Sequence, residues 1–265
     1  MGVKVIKLIK VWFLMAKIAA QSQLTTNAGG ILFIIGKVIR FALFFIFLFS
    51  VLSQSGELAG YSREEVVWFF LVFNLVDVLV QFLFRGVYVF RPLVVSGNYD
   101  LDLLKPLPSF FRPLFGWTDI LDFITLIPLV IFSGWFVFVN HLVIGIKEVI
   151  FFFLLLIAAL LIGFSFHLAV SAFCILTTEI DHLIWVYRDL TAMARFPTDV
   201  YRGLVRFILT FVFPVVLLIT FPAKALLGLL SPEKVVLGVG LSLFFVSLSL
   251  KFWYWSLRRY TSASS

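Results

Sequence analysis

The chain has 265 residues, 62% of them hydrophobic and only 13% charged, with 34 Phe and a mean hydropathy of +1.12. A soluble domain carries about 25% charged residues, and one of this length could not hide so much apolar surface, so lipid is the solvent for much of the chain. The net charge of +7 does not mark a nucleic-acid binder, because Lys and Arg recur between apolar runs and form no single patch. The single Cys174 excludes an intrachain disulfide and a thiolate metal cage, and in its apolar run it reads as a small buried hydrophobe.

Residues 1–28 predict an amphipathic helix lying in the membrane interface. Lys4, Lys7, Lys10, Lys17 and Gln21 fall on one arc, and Val5, Ile9, Trp12 and Ala16 on the other. The apolar stretch from Val11 to Ala16 is too short for a cleavable signal core and ends at Lys17. Residues 29–260 hold six apolar segments of the length a membrane helix needs, about 31–52, 66–84, 120–139, 149–176, 204–221 and 235–257. Lys37 and Arg40 sit near the cytoplasmic end of the first, where long side chains snorkel. The fourth is long enough that it must tilt, break or protrude, and Pro214 predicts a kink in the fifth. The expected fold is therefore an all-α, polytopic membrane bundle of six helices, followed by a short tail over 261–265.

Orientation follows from the basic residues. With the N-terminus inside, seventeen Lys and Arg fall on the cytoplasmic side, and four (Arg63, Lys147, Lys224 and Lys234) fall outside. That bias places both termini in the cytoplasm and requires an even number of crossings. The outside connections, about 53–65, 140–147 and 222–234, are short. The inside connections, about 85–117 and 177–203, are longer, mix charge with apolar residues and carry Pro92, Pro106, Pro108, Pro113 and Pro197. They are the natural docking surface for a cytoplasmic partner.

Catalytic signatures are missing from the sequence. It has no G-x-x-x-x-G-K-[ST] phosphate loop, no H-E-x-x-H and no G-x-S-x-G. His141, His167 and His182 fall on an outside loop, a span and an inside loop, a poor arrangement for a shared metal. Neither a catalytic residue nor a metal site is expected. Within the spans, Asn74, Asp77 and Gln81 share one helical stripe, and a carboxylate at that depth must face protein or water. Asp77 is thus either a functional group or one member of a helix–helix hydrogen-bonding stripe. His167 has the same two readings, with packing the stronger. The run Glu179, Asp181, His182, Arg188, Asp189 and Arg195 reads as a solvated cytoplasmic face whose charges set partner register.

Three blocks carry a family resemblance. They are Val95-Ser96-Gly97-Asn98-Tyr99-Asp100-Leu101-Asp102-Leu103-Leu104-Lys105-Pro106-Leu107, then Arg195-Phe196-Pro197-Thr198-Asp199-Val200-Tyr201 running through Pro214 to Phe221-Pro222-Ala223, and last Leu257-Arg258-Arg259-Tyr260-Thr261-Ser262-Ala263-Ser264. Together, in this order and on this set of apolar segments, they resemble the ABC-2-type permeases of bacterial ATP-binding cassette exporters; Ser256 stands where that pattern has Gly. The resemblance implies a non-catalytic membrane subunit of the bacterial inner membrane. Two permease chains, identical or paralogous, would pair with two separate cytoplasmic ATPases that hold the ATP and magnesium. It also implies a coupling element around Arg91, Gly97, Asn98, Tyr99, Asp100, Asp102, Lys105 and Pro106, with a second contact near Arg188, Asp189, Arg195 and Pro197. Gly97 would allow a tight turn, and Asp100 with Asp102 would cap a helix or meet basic residues of the ATPase. The rival reading is an ion-coupled carrier or channel using Asp77, which the lack of an evident inverted repeat weakens; a scaffold without flux is a third.

Overall fold

The computed structural model describes residues 2–24, 27–142, 144–177 and 181–261. Glu179, the Ser262-to-Ser264 end of the third block and the side chains of Lys4, Val5 and Asp181 lie outside the described residues. Among those described, the elements are all helical: α1 (Gly2–Leu24), α2 (Asn27–Ser55), α3 (Arg63–Phe84), α4 (Val87–Val95), α5 (Asn98–Leu103), α6 (Phe111–Phe115), α7 (Ile120–Val139), α8 (Ile146–Thr177), α9 (Asp181–Ala192), α10 (Gly203–Phe207), α11 (Phe221–Leu226) and α12 (Pro232–Leu257). Among the described residues five stretches are long and apolar enough to cross a membrane, 29–54, 63–95, 120–139, 146–177 and 232–257, and the bent pair 203–212 and 216–226 makes a sixth when taken as one span.

The centre of the bundle is α3. Ser62 caps it and Glu65 returns the hydrogen bond, closing a capping box, while Glu64 and Glu65 favour the positive end of the helix dipole. From Val66 to Phe73 every side chain is buried, because α2, α7, α8 and the segment after Pro214 pack around it. α8 is an unbroken helix of 32 residues, about 48 Å at 1.5 Å per residue, so it outreaches a hydrocarbon core of about 30 Å without breaking. It packs tightly against its neighbours. A Cβ on Gly163 would come within 2.7 Å of Val80 on α3, and one on Gly238 of α12 within 3.0 Å of Leu155 on α8.

By contrast, α2 buries little. Leu48 and Leu52 are enclosed and Phe41 and Phe44 stack on Phe70, but Ile31, Leu32, Leu43 and Ile46 are exposed. A helix with its apolar residues turned outward is finished by lipid or by another chain. On α1, Ile6, Phe13, Leu14 and Ile18 are exposed on the same side as Lys7, Lys10 and Lys17, while the Trp12 ring packs edge-on against Phe82 of α3. The end of α1 is tied to the start of α7, since the Gln23 amide donates to the Thr118 carbonyl and accepts from the Ile120 N–H.

The junction between α3 and α4 is equally close. Gly86 sits under the backbone of Pro113 and Leu114, where an added Cβ would fall 2.7 Å from both carbonyl oxygens. Backbone cannot give as a flexible side chain does, so Gly86→Ala is expected to cost about 1–3 kcal/mol, as overpacking does, and to lower the thermal midpoint of the detergent-purified chain. An unchanged midpoint would show that this junction is looser than its geometry.

Two expectations are corrected. The segment over 204–221 is not one continuous helix: α10 continues as a π-helical turn to Val212, the chain breaks at Pro214, and a second π-helical turn from Val216 leads into α11, the second arm bent by 75° from the first. Pro214 lacks an N–H and pushes the preceding residue out of helical geometry, and Phe213 accordingly has φ −118° and ψ 88°. The arms return to one point, where Arg206 of α10 and Lys224 of α11 both pair with Asp199, at 3.1 and 2.7 Å. The stretch over 177–203 is not an open loop either. α9 packs on α8 through Tyr187, and the 3-10 turn after it packs on α3: Arg188 shares a cavity with Asp77, Gln81 and Arg85, Arg195 covers Phe73, and Asp199 accepts a 2.8 Å hydrogen bond from Tyr61, just before α3. Asp199 was expected inside, and Tyr61 and Lys224 outside; groups in direct contact cannot be on opposite sides of a bilayer.

Candidate functional site

A cavity of about 420 Å³ opens between α2, α3, α7 and α9. The polar stripe of α3 is one wall, with Asn74, Asp77, Gln81 and then Arg85; α2 contributes Lys37, Arg40 and Phe41, α7 Asp122, Pro128 and Phe132, and α9 Arg188. Asn74 donates to the Phe70 carbonyl of its own helix at 2.7 Å, and Arg85 donates to Gln81 Oε1 at 3.0 Å. Asp77 has no ion-pair partner among the described residues. His167 is not in this wall. It is fully buried on α8, with Nδ1 2.8 Å from the Gly163 carbonyl and its ring against Phe84 and Tyr187.

Sequence reasoning missed Asp119 and Asp122. Asp122 is 1% exposed and forms an ion pair with Lys37, joining α7 to α2. Asp119 caps α7 through the Leu121 N–H and lies 3.5 Å from Arg85. Lys37 therefore does not snorkel away from the bundle; its ammonium is held inward. The signal was available as two carboxylates three residues apart at the head of an apolar run, opposite two cations at the matching ends of other runs. Intramembrane charges of opposite sign seek each other.

The residues of the connection over 85–117 form a compact frame. Gly97 has φ +73°, the left-handed region that ends α4 and lets α5 start at once. Tyr99 is fully buried, donates to the Ser109 carbonyl at 3.0 Å and stacks edge-on with Phe90 and with Tyr260 beyond α12. Trp253 of α12 donates to the Ser109 hydroxyl at 3.0 Å. The first and third motif blocks thus touch, which their separation in sequence hides. Burial drives the Tyr99 phenol well above its ordinary value, and burial with the nearby Asp100 carries Tyr260 up to about 12. Both stay neutral at any working pH. Asp102 does not look outward for a basic partner; it pairs with Lys105 at 2.7 Å and Arg112 at 3.6 Å. Arg91, Asn98, Lys105 and Pro106 are exposed, and among them stand apolar side chains with nothing to pack on, Leu101 at 60% and Leu104 at 83% exposure.

The second set of predicted contacts is dispersed. Arg188 faces the cavity and also lies over the Trp185 ring at 5.1 Å, Arg195 lies over Phe44 and Phe73 at 5.2 and 5.4 Å, Pro197 is buried and Asp189 is exposed. They form no common surface. Instead Asp199, whose role the sequence did not suggest, gathers Tyr61, Arg206 and Lys224, and Thr198 bonds Thr220 at 2.8 Å. Burial, then the Asp199 carboxylate, pushes the Tyr61 phenol up, so it stays the donor of that bond.

A multi-pass bundle with a charged internal cavity and a rigid frame bearing exposed leucines has the build of a membrane transport protein. The chain belongs to the ABC-2 transporter family: a family model described as ABC-2 family transporter protein matches residues 38–264. Comparisons with curated proteins and with solved structures find no match.

Proposed function

We propose that the chain is the permease subunit of an ATP-binding cassette exporter in a bacterial inner membrane, working as a dimer of permeases and driven by separate ATPase subunits that bind ATP and magnesium. The observation that carries this is the frame around α5, an apolar knob of Leu101 and Leu104 mounted on a helix that α4, α6 and the end of α12 hold rigid. Movement imposed on the knob by a closing ATPase dimer passes into α12 through Trp253 and Tyr260 and into α3 through α4. The exposed apolar face of α2 supplies surface for the second permease chain. Family membership and the absence of a phosphate loop from the sequence support the division of labour.

The topology that fits these contacts keeps both termini cytoplasmic and α1 in the interface. The segment over 181–200 replaces 204–221 as the fifth crossing, and α10 with α11 is a re-entrant hairpin dipping in from outside. Moving Arg202 and Arg206 outward and Arg188 and Arg195 into the crossing leaves thirteen basic residues inside and six outside, so the charge bias persists. In a Cys174→Ser background, Arg202→Cys is expected to react with a membrane-impermeant maleimide on intact cells, and Arg112→Cys only after permeabilisation. Labelling of Arg202→Cys solely after permeabilisation would restore the cytoplasmic loop.

The permease reading is tested by co-expression with an ATP-binding cassette subunit encoded beside it: the two co-purify, and hydrolysis rises in the complex. Transport by the chain alone on a proton gradient, abolished by Asp77→Ala with assembly intact, would instead establish the ion-coupled carrier; the unpaired Asp77 in the cavity wall is what favours that rival.

A further inference from the structure

We infer that the cavity between α2, α3, α7 and α9 binds an amphiphile with an anionic, hydroxyl-bearing head of the phosphate type. The walls supply both halves of such a molecule. Lys37, Arg40, Arg85 and Arg188 face Asp77 and Asp122, with the rings of Phe41 and Phe132 beside them. Lys37 is engaged by Asp122 and Arg85 by Asp119, but Arg40 and Arg188 have no carboxylate within ion-pair distance among the described residues. Arg195 lies close to Arg40, Asp77 and Arg188 and adds to the positive field. Cations therefore exceed carboxylates even when Asp119 is counted.

One buried polar atom in the same wall lacks a partner among the described residues: Asp122 is 1% exposed, and its Oδ2 accepts from nothing, so a ligand hydroxyl would satisfy it. Gln81, 4% exposed, lines the same wall with its amide toward the Tyr88 hydroxyl. Guanidinium groups match a tetrahedral anion with paired donors. A cationic head would instead have to displace Lys37 from Asp122 and approach two free arginines.

A second cavity, of about 400 Å³, repeats the pattern at the α10–α11 hairpin. Arg206, Lys224 and Lys234 face the single carboxylate Asp199, with Phe207 and Phe211 alongside. Arg188 and Arg195 are spaced along the segment between the two cavities. A head bound at the first cavity would thus meet cations again at the second.

Calling the bound molecule cargo rests on the permease reading, but the binding does not, so it is measured on the purified chain in dodecyl maltoside without any ATPase. Native mass spectrometry and calorimetry with dodecyl phosphate are expected to show saturable one-to-one binding, weakened at least tenfold by Arg188→Gln and by Arg40→Gln. Lys251→Gln, which removes an exposed cation on α12, should leave it unchanged. Arg188→Lys guards against misfolding, since it keeps the charge and is expected to retain part of the affinity. Competition by inorganic phosphate would assign the site to a free anion, and competition by phosphatidylglycerol to a lipid head; either keeps the anionic site. Equal or tighter binding of dodecyltrimethylammonium, or dodecyl phosphate binding untouched by both arginine substitutions, would overturn it. Loss of ATPase coupling with binding intact would remove the permease reading alone.

Discussion

Leu104→Asp is expected to abolish the stimulation of ATP hydrolysis in the co-purified complex while leaving the fold of the chain intact. Leu104 is 83% exposed and Leu101 60% exposed on a frame that is otherwise satisfied. Burying a leucine against a partner contributes about 1.5–3 kcal/mol, and 1.4 kcal/mol is a factor of ten in affinity. Truncation to Ala at position 104 should therefore weaken ATPase association by about ten- to a hundredfold. A carboxylate there must also be desolvated, so Asp should do more. Leu101→Asp is expected to act in the same direction and less strongly. The frame does not depend on either side chain: Gly97 turns the chain, Tyr99 is anchored on Ser109, and Asp102 is held by Lys105 and Arg112. The check is paired, with hydrolysis and co-purification measured beside the thermal midpoint. Stimulation unchanged in Leu104→Asp would move the coupling contact elsewhere, and a collapsed midpoint would make Leu104 a folding residue.

The same frame marks how far sequence could reach. The connection over 85–117 was legible because its charges, prolines and Gly97 interrupt long apolar runs, and interruption is what hydropathy detects. Which of its residues face outward was not legible, since Tyr99 and Leu104 look alike in composition and differ only in what packs on them. The packing of the stretch over 177–203 against the bundle was not legible for a physical reason. Hydropathy charges Arg188 and Arg195 the full cost of burial, whereas here their guanidinium groups lie over Trp185, Phe44 and Phe73 and beside a polar cavity. The segment over 204–221 shows a second limit. An apolar run of spanning length that bends by 75° at Pro214 is either a broken span or a re-entrant loop, and single-segment hydropathy cannot distinguish the two. A shared partner such as Asp199, joining both arms to Tyr61, is what favours the re-entrant reading.

The joint between α2 and α7 depends on one charge pair, and removing half of it is expected to be the most damaging single substitution in the chain. Lys37 and Asp122 join α2, which otherwise encloses only Leu48 and Leu52 among its apolar residues, to α7. Breaking a buried pair by deleting one partner costs about 3–5 kcal/mol, less the hydration that the Lys37 side chain, 29% exposed, retains. Asp122→Ala should therefore drop the thermal midpoint sharply, and Lys37→Met should do nearly the same, somewhat eased because Asp122 can take up a proton. Replacing both groups together, Lys37→Met with Asp122→Leu, leaves no stranded charge and is expected to recover most of the loss. Additive losses in the double variant would show that the two residues act independently. The recovered double variant is also informative about function. It keeps α2 in place while removing a cation and the Asp122 acceptor from the cavity, so it should fold, assemble with the ATPase and bind dodecyl phosphate more weakly than the parent chain. Stability and binding then separate in one protein, which no single substitution at either position allows.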